Sequence, residues 1–452
     1  MSEDGKIAGV PQVGGGEGTD AEAYHELKLI LLRQTLSHAY EAVPHYRRTI
    51  DSLNKSTEDF TSYAQLSLLP ITTKDMLSKA PAQFLNRKVE VISWSRTRGT
   101  TGQPFTLPLS REELLANSFL RQIATGKTLG KTITLAVVFW RISVPVQPAS
   151  PTIWVPYNFE DPQWARTPKL IDELSRVRLV SGGEEGRVST LALPAPWLIR
   201  LMTKDLATYS VDPRDFAVRY VVASGGHATK VIRQLMKDTW NAEFFSSYNT
   251  AEVCGTATEC ALHDWYHFDI SMIPEVLDPD TKEPVGTGKL GVLVLTTLHP
   301  FQQAMPLIRY WTDDLVIMTD EKCRCGFEGT SIRRFIGRRK DSLDLREIAP
   351  DLRDRKYLSP IDVYEIIDGI PELVYDRPLF RIDLLDNRGG KTLQVKVELA
   401  SAVNVNRSHE IAGEIEEGIF RLCPELSNSN VIISTQFARM MSRYFDYPYF
   451  QT

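Results

Sequence analysis

Long apolar runs are missing from this chain. No stretch of eighteen apolar residues occurs in its 452 residues, which excludes a membrane-spanning helix of the usual kind. An excess of basic charge is missing too. Lysine and arginine number 52 against 57 acidic residues, a formal net charge of -5, and there is no basic run. A general nucleic-acid binder would show one. Cysteine is scarce, at five residues, so a disulfide framework is excluded and a reducing cytoplasm is expected, with the thiols free or on a metal. The first twenty residues lack an apolar core of the signal-peptide kind and carry Gly14, Gly15, Gly16 and Gly18, which predicts a disordered tail.

What is present is enough apolar material, 42%, for more than one core. Residues 21–48 carry Leu27, Ile30, Leu31, Gln34, Leu36 and Tyr40 at helical spacing, and Val43-Pro44 should end that helix. Leu69-Pro70-Ile71-Thr72-Thr73-Lys74-Asp75 reads as a loop followed by a threonine-capped helix. Residues 133–140 and 216–223 are short, apolar and β-branched, as strands covered on both faces are. Helical patterns over 167–177 and 196–206 come after the first of them, and the alternation predicts an α/β domain. A strand is expected over 289–298. Residues 392–399 alternate as a half-buried antiparallel strand would, and 408–422 reads as an amphipathic helix. The character changes at Gly337-Arg338-Arg339-Lys340. The expected division is a tail over 1–20, a large domain over 21–339 and a small α+β domain over 340–452.

Several short segments carry chemistry. Thr97-Arg98-Gly99-Thr100-Thr101-Gly102-Gln103-Pro104 follows a strand-like segment at 91–94; its small residues let amides and hydroxyls close on phosphate oxygens, as they also could in an ordinary polar turn. Tyr248-Asn249-Thr250-Ala251-Glu252 follows apolar Phe244-Phe245, and a glutamate at a strand end can hold magnesium on a phosphate. In Ala304-Met305-Pro306-Leu307-Ile308-Arg309-Tyr310-Trp311-Thr312-Asp313-Asp314-Leu315, an aspartate in a turn can take both hydroxyls of a ribose, and Arg338 lies near a phosphate. Cys260, His263, His267 and the pair Cys323-Arg324-Cys325-Gly326 offer zinc ligands.

In this order the segments resemble the core motifs of the acyl-adenylate-forming superfamily, and within it the phenylacetate–coenzyme A ligase branch. The matching residues include Ala304 through Leu315, Cys323-Arg324-Cys325-Gly326, and Thr35-Leu36-Ser37-His38-Ala39-Tyr40 with Val43-Pro44-His45-Tyr46-Arg47-Arg48. The resemblance spans 21–343 well and the remainder poorly. It implies an α/β fold with a large, multi-subdomain N-terminal adenylate-forming domain and a small mobile α+β C-terminal domain. Thr97, Gly99, Thr100, Thr101 and Gly102 would close over the ATP phosphates. Ser224, Gly225 and Gly226 would line the adenine, with Tyr248 stacked on it and Asn249 beside it. Glu252 would bind Mg2+, Asp314 the ribose hydroxyls, with Arg338 nearby, and Lys340 would be the hinge. Cys260, His267, Cys323 and Cys325 would hold a structural Zn2+, with His263 the alternative ligand.

The implied reaction is ATP-dependent activation of a small, aromatic carboxylic acid, with transfer to coenzyme A, in a homodimer. Passage of the acyl group to an amine or carrier protein, use of an inorganic oxyacid, and a non-catalytic nucleotide-binding relative stay open. Departures from the pattern leave them so. Arg98 and Gln103 stand where the family has serine and lysine, and Asn249 and Ala251 where it has glycine and a hydroxyl residue. Residues 397–452 contain no lysine, where the family places one that reaches the α-phosphate; Arg439 and Arg443 lie in that stretch. Trp140, Pro145, Pro148, Pro151, Trp154, Pro156 and Tyr157 replace a glycine-rich stretch that shapes the family's acyl pocket; they could line a different pocket or form a rigid surface loop with core aromatics.

Overall fold

The structure is a computed structural model. It describes residues 19–96, 105–117, 135–139, 152–156, 166–176, 178–181, 184–349, 352, 356–374, 379–387, 390–428, 431–437 and 450–451. The expected phosphate loop at 97–104, the stretch holding Arg439 and Arg443, the first eighteen residues and most of the proline-rich segment lie outside it.

Helix α1, Thr19–Ala42, stops at Val43, and Pro44 starts α2, Pro44–Ser52, at its first position. Proline costs nothing there, because the first amides of a helix have no intrahelical partner. The buried stripe is Leu32, Leu36, Ala39, Val43, Tyr46 and Ile50. Leu27 and Ile30, expected on the apolar face, are each 43% exposed. The three-and-four spacing is real, but the stripe sits further along than the sequence suggested. Thr73 caps α3, Lys74–Lys79, by accepting from the Met76 amide at 3.3 Å.

The centre is an eleven-stranded sheet. Its strands are β1 (Leu135–Phe139), β2 (Thr152–Pro156), β3 (Thr190–Leu193), β4 (Tyr220–Ala223), β5 (Glu243–Tyr248), β6 (Ala257–Glu259), β7 (Tyr266–Phe268), β8 (Met272–Leu277), β9 (Leu290–Thr297), β10 (Tyr310–Thr319) and β11 (Ser331–Arg338). They lie in the order β8-β9-β10-β11-β7-β6-β5-β4-β3-β1-β2. From β2 to β5 every pairing is parallel, and from β5 to β8 every pairing is antiparallel. The parallel half needs crossovers, and three helices serve it: α4 (Arg166–Arg176), α5 (Leu198–Thr208) and α6 (Lys230–Leu235). Leu170, Leu174, Leu198, Ile199, Met202 and Ile232 bury against Leu191, Val221 and Phe244 in one core. The antiparallel half packs with α1 and α2 in another.

A third core belongs to the C-terminal unit. Its helices are α7, Pro360–Asp368, and α8, Val405–Leu422; its sheet contains β12 (Phe380–Asn387), β13 (Gly390–Val397), β14 (Val431–Phe437) and β15 (Phe450–Gln451). Ser359 and Asp362 form a capping box at the start of α7. On α8, Ile411, Ile415 and Ile419, four residues apart, make a stripe into this core. The expected antiparallel β13 has one antiparallel neighbour, β12, and one parallel neighbour, β14. Alternation reports which face is buried and is blind to strand direction.

Candidate functional site

Strand β5 is where the sheet changes character, since its two neighbours run in opposite senses. Ligands of open α/β sheets gather beyond the carboxyl ends of such strands. Beyond β4 comes Ser224-Gly225-Gly226. Gly225 is left-handed at φ +73, and a Cβ there would lie 2.6 Å from the Pro194 carbonyl oxygen, so glycine is required. Strand β5 ends at Tyr248, followed by exposed Asn249 and then buried Glu252, 5% exposed.

The Tyr248 hydroxyl donates to Asp314 Oδ2 at 2.7 Å, and its ring stacks on Phe335, with centroids 4.8 Å apart. Arg338 Nε approaches Asp314 Oδ1 at 3.4 Å, because β10 and β11 put the two residues opposite each other. Asp314 was expected in a turn. It stands instead in β10, where pairing with β9 shifts between Val292 and Val294 and Asp313 is left-handed at φ 65. A bulge re-aims a strand side chain just as a turn would. Burial raises the Asp314 carboxyl above its ordinary range, with Arg338 pulling the other way. Burial and then Asp314 raise Tyr248, which keeps the phenol a donor.

Glu252 has two partners. Its Oε2 accepts from the Thr250 hydroxyl at 2.6 Å, and its Oε1 meets Lys74 Nζ at 2.9 Å. Burial pushes this carboxyl up, but Thr250 and Lys74 outweigh it and the net direction is down. Lys74 escaped the sequence reading. The Pro70-to-Asp75 segment announced a capped helix, yet its contact with Glu252 depends on a distant pairing. Thr72 bonds Arg309 O and the Trp311 amide, both at 2.9 Å, and so lays this loop along the start of β10. Partial burial lowers the pKa of Lys340, the residue expected at the hinge, and the charges acting on it include Asp341, Arg338, Asp313 and Lys74. Of the expected site residues, Tyr248, Glu252, Asp314, Arg338 and Lys340 therefore come together, and Lys74 joins them.

Arg309 is the anchor of this arrangement. It is 5% exposed, pairs with Glu275 at 3.0 Å, and donates to the Leu69 carbonyl at 2.7 Å. Removing a buried guanidinium leaves Glu275 and two loop carbonyls unsatisfied. Arg309→Ala should therefore lose roughly 3–5 kcal/mol of stability in chemical unfolding, and a loss below about 1 kcal/mol would remove it as an anchor.

A second cluster lies further along β6 and β7. Ligand atoms of Cys260, His267, Cys323 and Cys325 all fall within 4.8 Å of one another. The Cys260 and Cys323 sulfurs are 3.9 Å apart, and His267 Nε2 is 3.1 Å from Cys325 Sγ. Sulfurs bound tetrahedrally at about 2.3 Å sit ~3.8 Å apart, so the donor set and spacing suit zinc. His267 Nδ1 bonds the Ser331 hydroxyl at 2.9 Å, and Phe327 stacks on the ring at 4.2 Å, which together fix the ligand's orientation. Gly326, at φ +93, closes the Cys323 loop. None of the five cysteines is in a disulfide.

His263, the alternative ligand, is engaged elsewhere. It bonds Glu243 at 2.9 Å and faces Glu259 at 3.4 Å, with its ring stacked on Phe245. The Glu259 bond, more than Glu243, raises its pKa. A histidine raised on folding stabilises the protein fully below its unfolded pKa, near 6.5, and loses that contribution as pH rises through the folded value. His263→Gln should be destabilised at pH 5.5 more than at pH 9. A difference independent of pH would contradict this.

No family model matches the chain. Against curated proteins it is 26% identical over 405 residues to the phenylacetate-coenzyme A ligase of Thermus thermophilus, covering 86% of this chain and 85% of that one. Against the same ligase of Aromatoleum evansii it is 26% identical over 420 residues, covering 89% of each. Over most of its length the chain is similar to phenylacetate–coenzyme A ligases. Among solved structures, a 2-hydroxyisobutyryl-CoA ligase in the postadenylation state matches with a TM-score of 0.70 at 16% identity, over 96% of this chain and 89% of that one. That likeness shows the fold, a mixed α/β architecture built on a large sheet, shared with adenylate-forming CoA ligases. Among the described residues no helix is long and apolar enough to cross a membrane.

Proposed function

We propose that this chain is an enzyme that activates a small carboxylic acid with ATP as an acyl-adenylate and transfers the acyl group to coenzyme A. The observation that carries the reading is the convergence of Tyr248, Asp314 and Arg338 with Glu252 and Lys74 beyond the carboxyl ends of β4 and β5. The homologous ligases and a fold shared with acyl-CoA ligases support it.

In the first step a carboxylate oxygen attacks the α-phosphorus of ATP, and pyrophosphate leaves. Charge builds on the phosphate oxygens, and fixed cations stabilise it most cheaply. Lys74, Arg338 and Lys340 supply them. Glu252 would hold Mg2+, which would supply further positive charge to the phosphates, and Asp314 would accept from both ribose hydroxyls while Ser224, Gly225, Gly226 and Asn249 border the adenine. In the second step the coenzyme A thiol, losing its proton, attacks the acyl carbon and AMP leaves. The loop holding Thr97, Gly99, Thr100, Thr101 and Gly102 belongs to the same reading, as do a domain boundary at Lys340 and a homodimer. An aromatic acid is the proposed substrate class. Zinc on Cys260, His267, Cys323 and Cys325 would pin two loops, and the free thiols support a reducing, cytoplasmic setting.

The acceptor is tested by incubating protein, ATP, Mg2+ and a panel of aromatic and short aliphatic acids with coenzyme A or hydroxylamine. Acyl-CoA thioester should form in step with AMP. Hydroxamate without any thioester would move the acceptor to an amine or a carrier protein.

A further inference from the structure

Polar contacts seat the C-terminal unit on the helices of the parallel half, and they centre on the last turn of α7. Arg200, on α5, makes two parallel bonds to Asp368, at 2.6 and 2.7 Å. The Thr229 hydroxyl donates to the same carboxylate. One turn earlier, Glu365 bonds His227 Nε2 at 2.6 Å. Arg200 is 7% exposed and Asp368 2%.

Two features mark this as more than surface pairing. Asp368 is the final residue of α7, where the helix dipole disfavours a carboxylate, so the unit's own fold gives no reason for it. Each charge is also buried against the other. A buried ion pair adds little net stability over apolar packing but permits one geometry, because either charge left alone in that place is costly. The partners on the opposite side are not neutral bystanders. His227 directly follows Ser224-Gly225-Gly226, and Thr229 caps α6 by accepting from the Ile232 amide at 3.2 Å. Seating α7 therefore fixes the loop that leaves β4.

We propose that Asp368, paired with Arg200, is a positioning residue that sets the 224–229 loop through Thr229 and His227, so that docking of the C-terminal unit and the shape of the nucleotide site form one equilibrium. Its nucleotide half rests on the adenylation reading above; its docking half does not.

The experiment compares the wild-type chain with Asp368→Asn, Asp368→Glu and the double variant Arg200→Met with Asp368→Leu. Amide hydrogen exchange without ligand reads docking. In Asp368→Asn, exchange should quicken roughly tenfold or more in both 224–232 and 360–368, while 411–419 in the C-terminal core keeps its protection. The double variant fills the seat with apolar groups and should recover most of the protection in both segments. Asp368→Glu, which keeps the charge, should recover part of it. In the acid-dependent reaction, KM for ATP should rise roughly tenfold in Asp368→Asn, with kcat within about threefold.

Unchanged exchange in 224–232 would overturn the proposal. So would loss of protection throughout the C-terminal core in every variant, which would make the pair merely structural. The expected exchange pattern in a protein with no ATP-dependent turnover would leave the docking equilibrium standing and remove the adenylation reading instead.

Discussion

Glu252→Gln should lower acid-dependent pyrophosphate release by two to three orders of magnitude, with little change in melting temperature. The amide keeps the volume of the carboxylate and can still accept from Thr250. It loses the charge that would hold a divalent ion and that faces Lys74 at 2.9 Å. Because Lys74 is partly exposed, an unpaired ammonium there finds water, and the structural penalty is small. The fold survives and the chemistry goes. Turnover within about threefold of the parent, at saturating Mg2+, would remove Glu252 from the metal site.

The second large effect concerns the thiols. The purified chain should hold one equivalent of zinc, and Cys323→Ser should release it and lower the melting temperature by on the order of 10 °C. Cys323 is 1% exposed and Cys260 4%. A metal is what lets two such thiols sit 3.9 Å apart as thiolates, and without one at least one of them must keep its proton. The cluster links β7 to the loop before β11, so its loss should loosen both ends of that pairing. A substoichiometric metal content by elemental analysis, with a melting temperature insensitive to chelators, would dismiss the site.

Local chemistry was the legible part of the sequence. The break at Val43-Pro44, the Thr73 cap, and the apolar β-branched strands β4 and β9 each follow from a few adjacent residues. Residue type marked Cys260, His267, Cys323 and Cys325 as possible ligands, but their gathering was implied by the resemblance to the ligases. What the sequence hid is set by distant pairing. Lys74 looked like an ordinary first-turn lysine, because nothing near it says that Thr72 will bond Arg309 and Trp311. Arg200 and Asp368 are separated by 168 positions and carry no motif. Asp314 was legible as a functional residue but not as a strand residue, since a bulge leaves no mark in composition. His263 and His267 differ in role by register alone: His267 faces Ser331 across β7 and β11, while His263 lies in the preceding turn with positive φ.

These cases also bear on the departures from the family pattern. The missing lysines at Gln103 and in 397–452 thin out the positive charge expected around the phosphates. Among the described residues, Lys74, Arg338 and Lys340 are cations that the fold brings to Glu252 and Asp314, and in the proposed reaction the electrostatics of the first step would rest on them.

The most direct test is acid-dependent exchange of labelled pyrophosphate into ATP, measured with Mg2+ and without coenzyme A across a panel of small aromatic and aliphatic acids. Exchange that requires one class of acid, and that disappears in Glu252→Gln, is the predicted result. No exchange with any acid, in a protein that still binds ATP, would contradict the claim that this chain forms an acyl-adenylate.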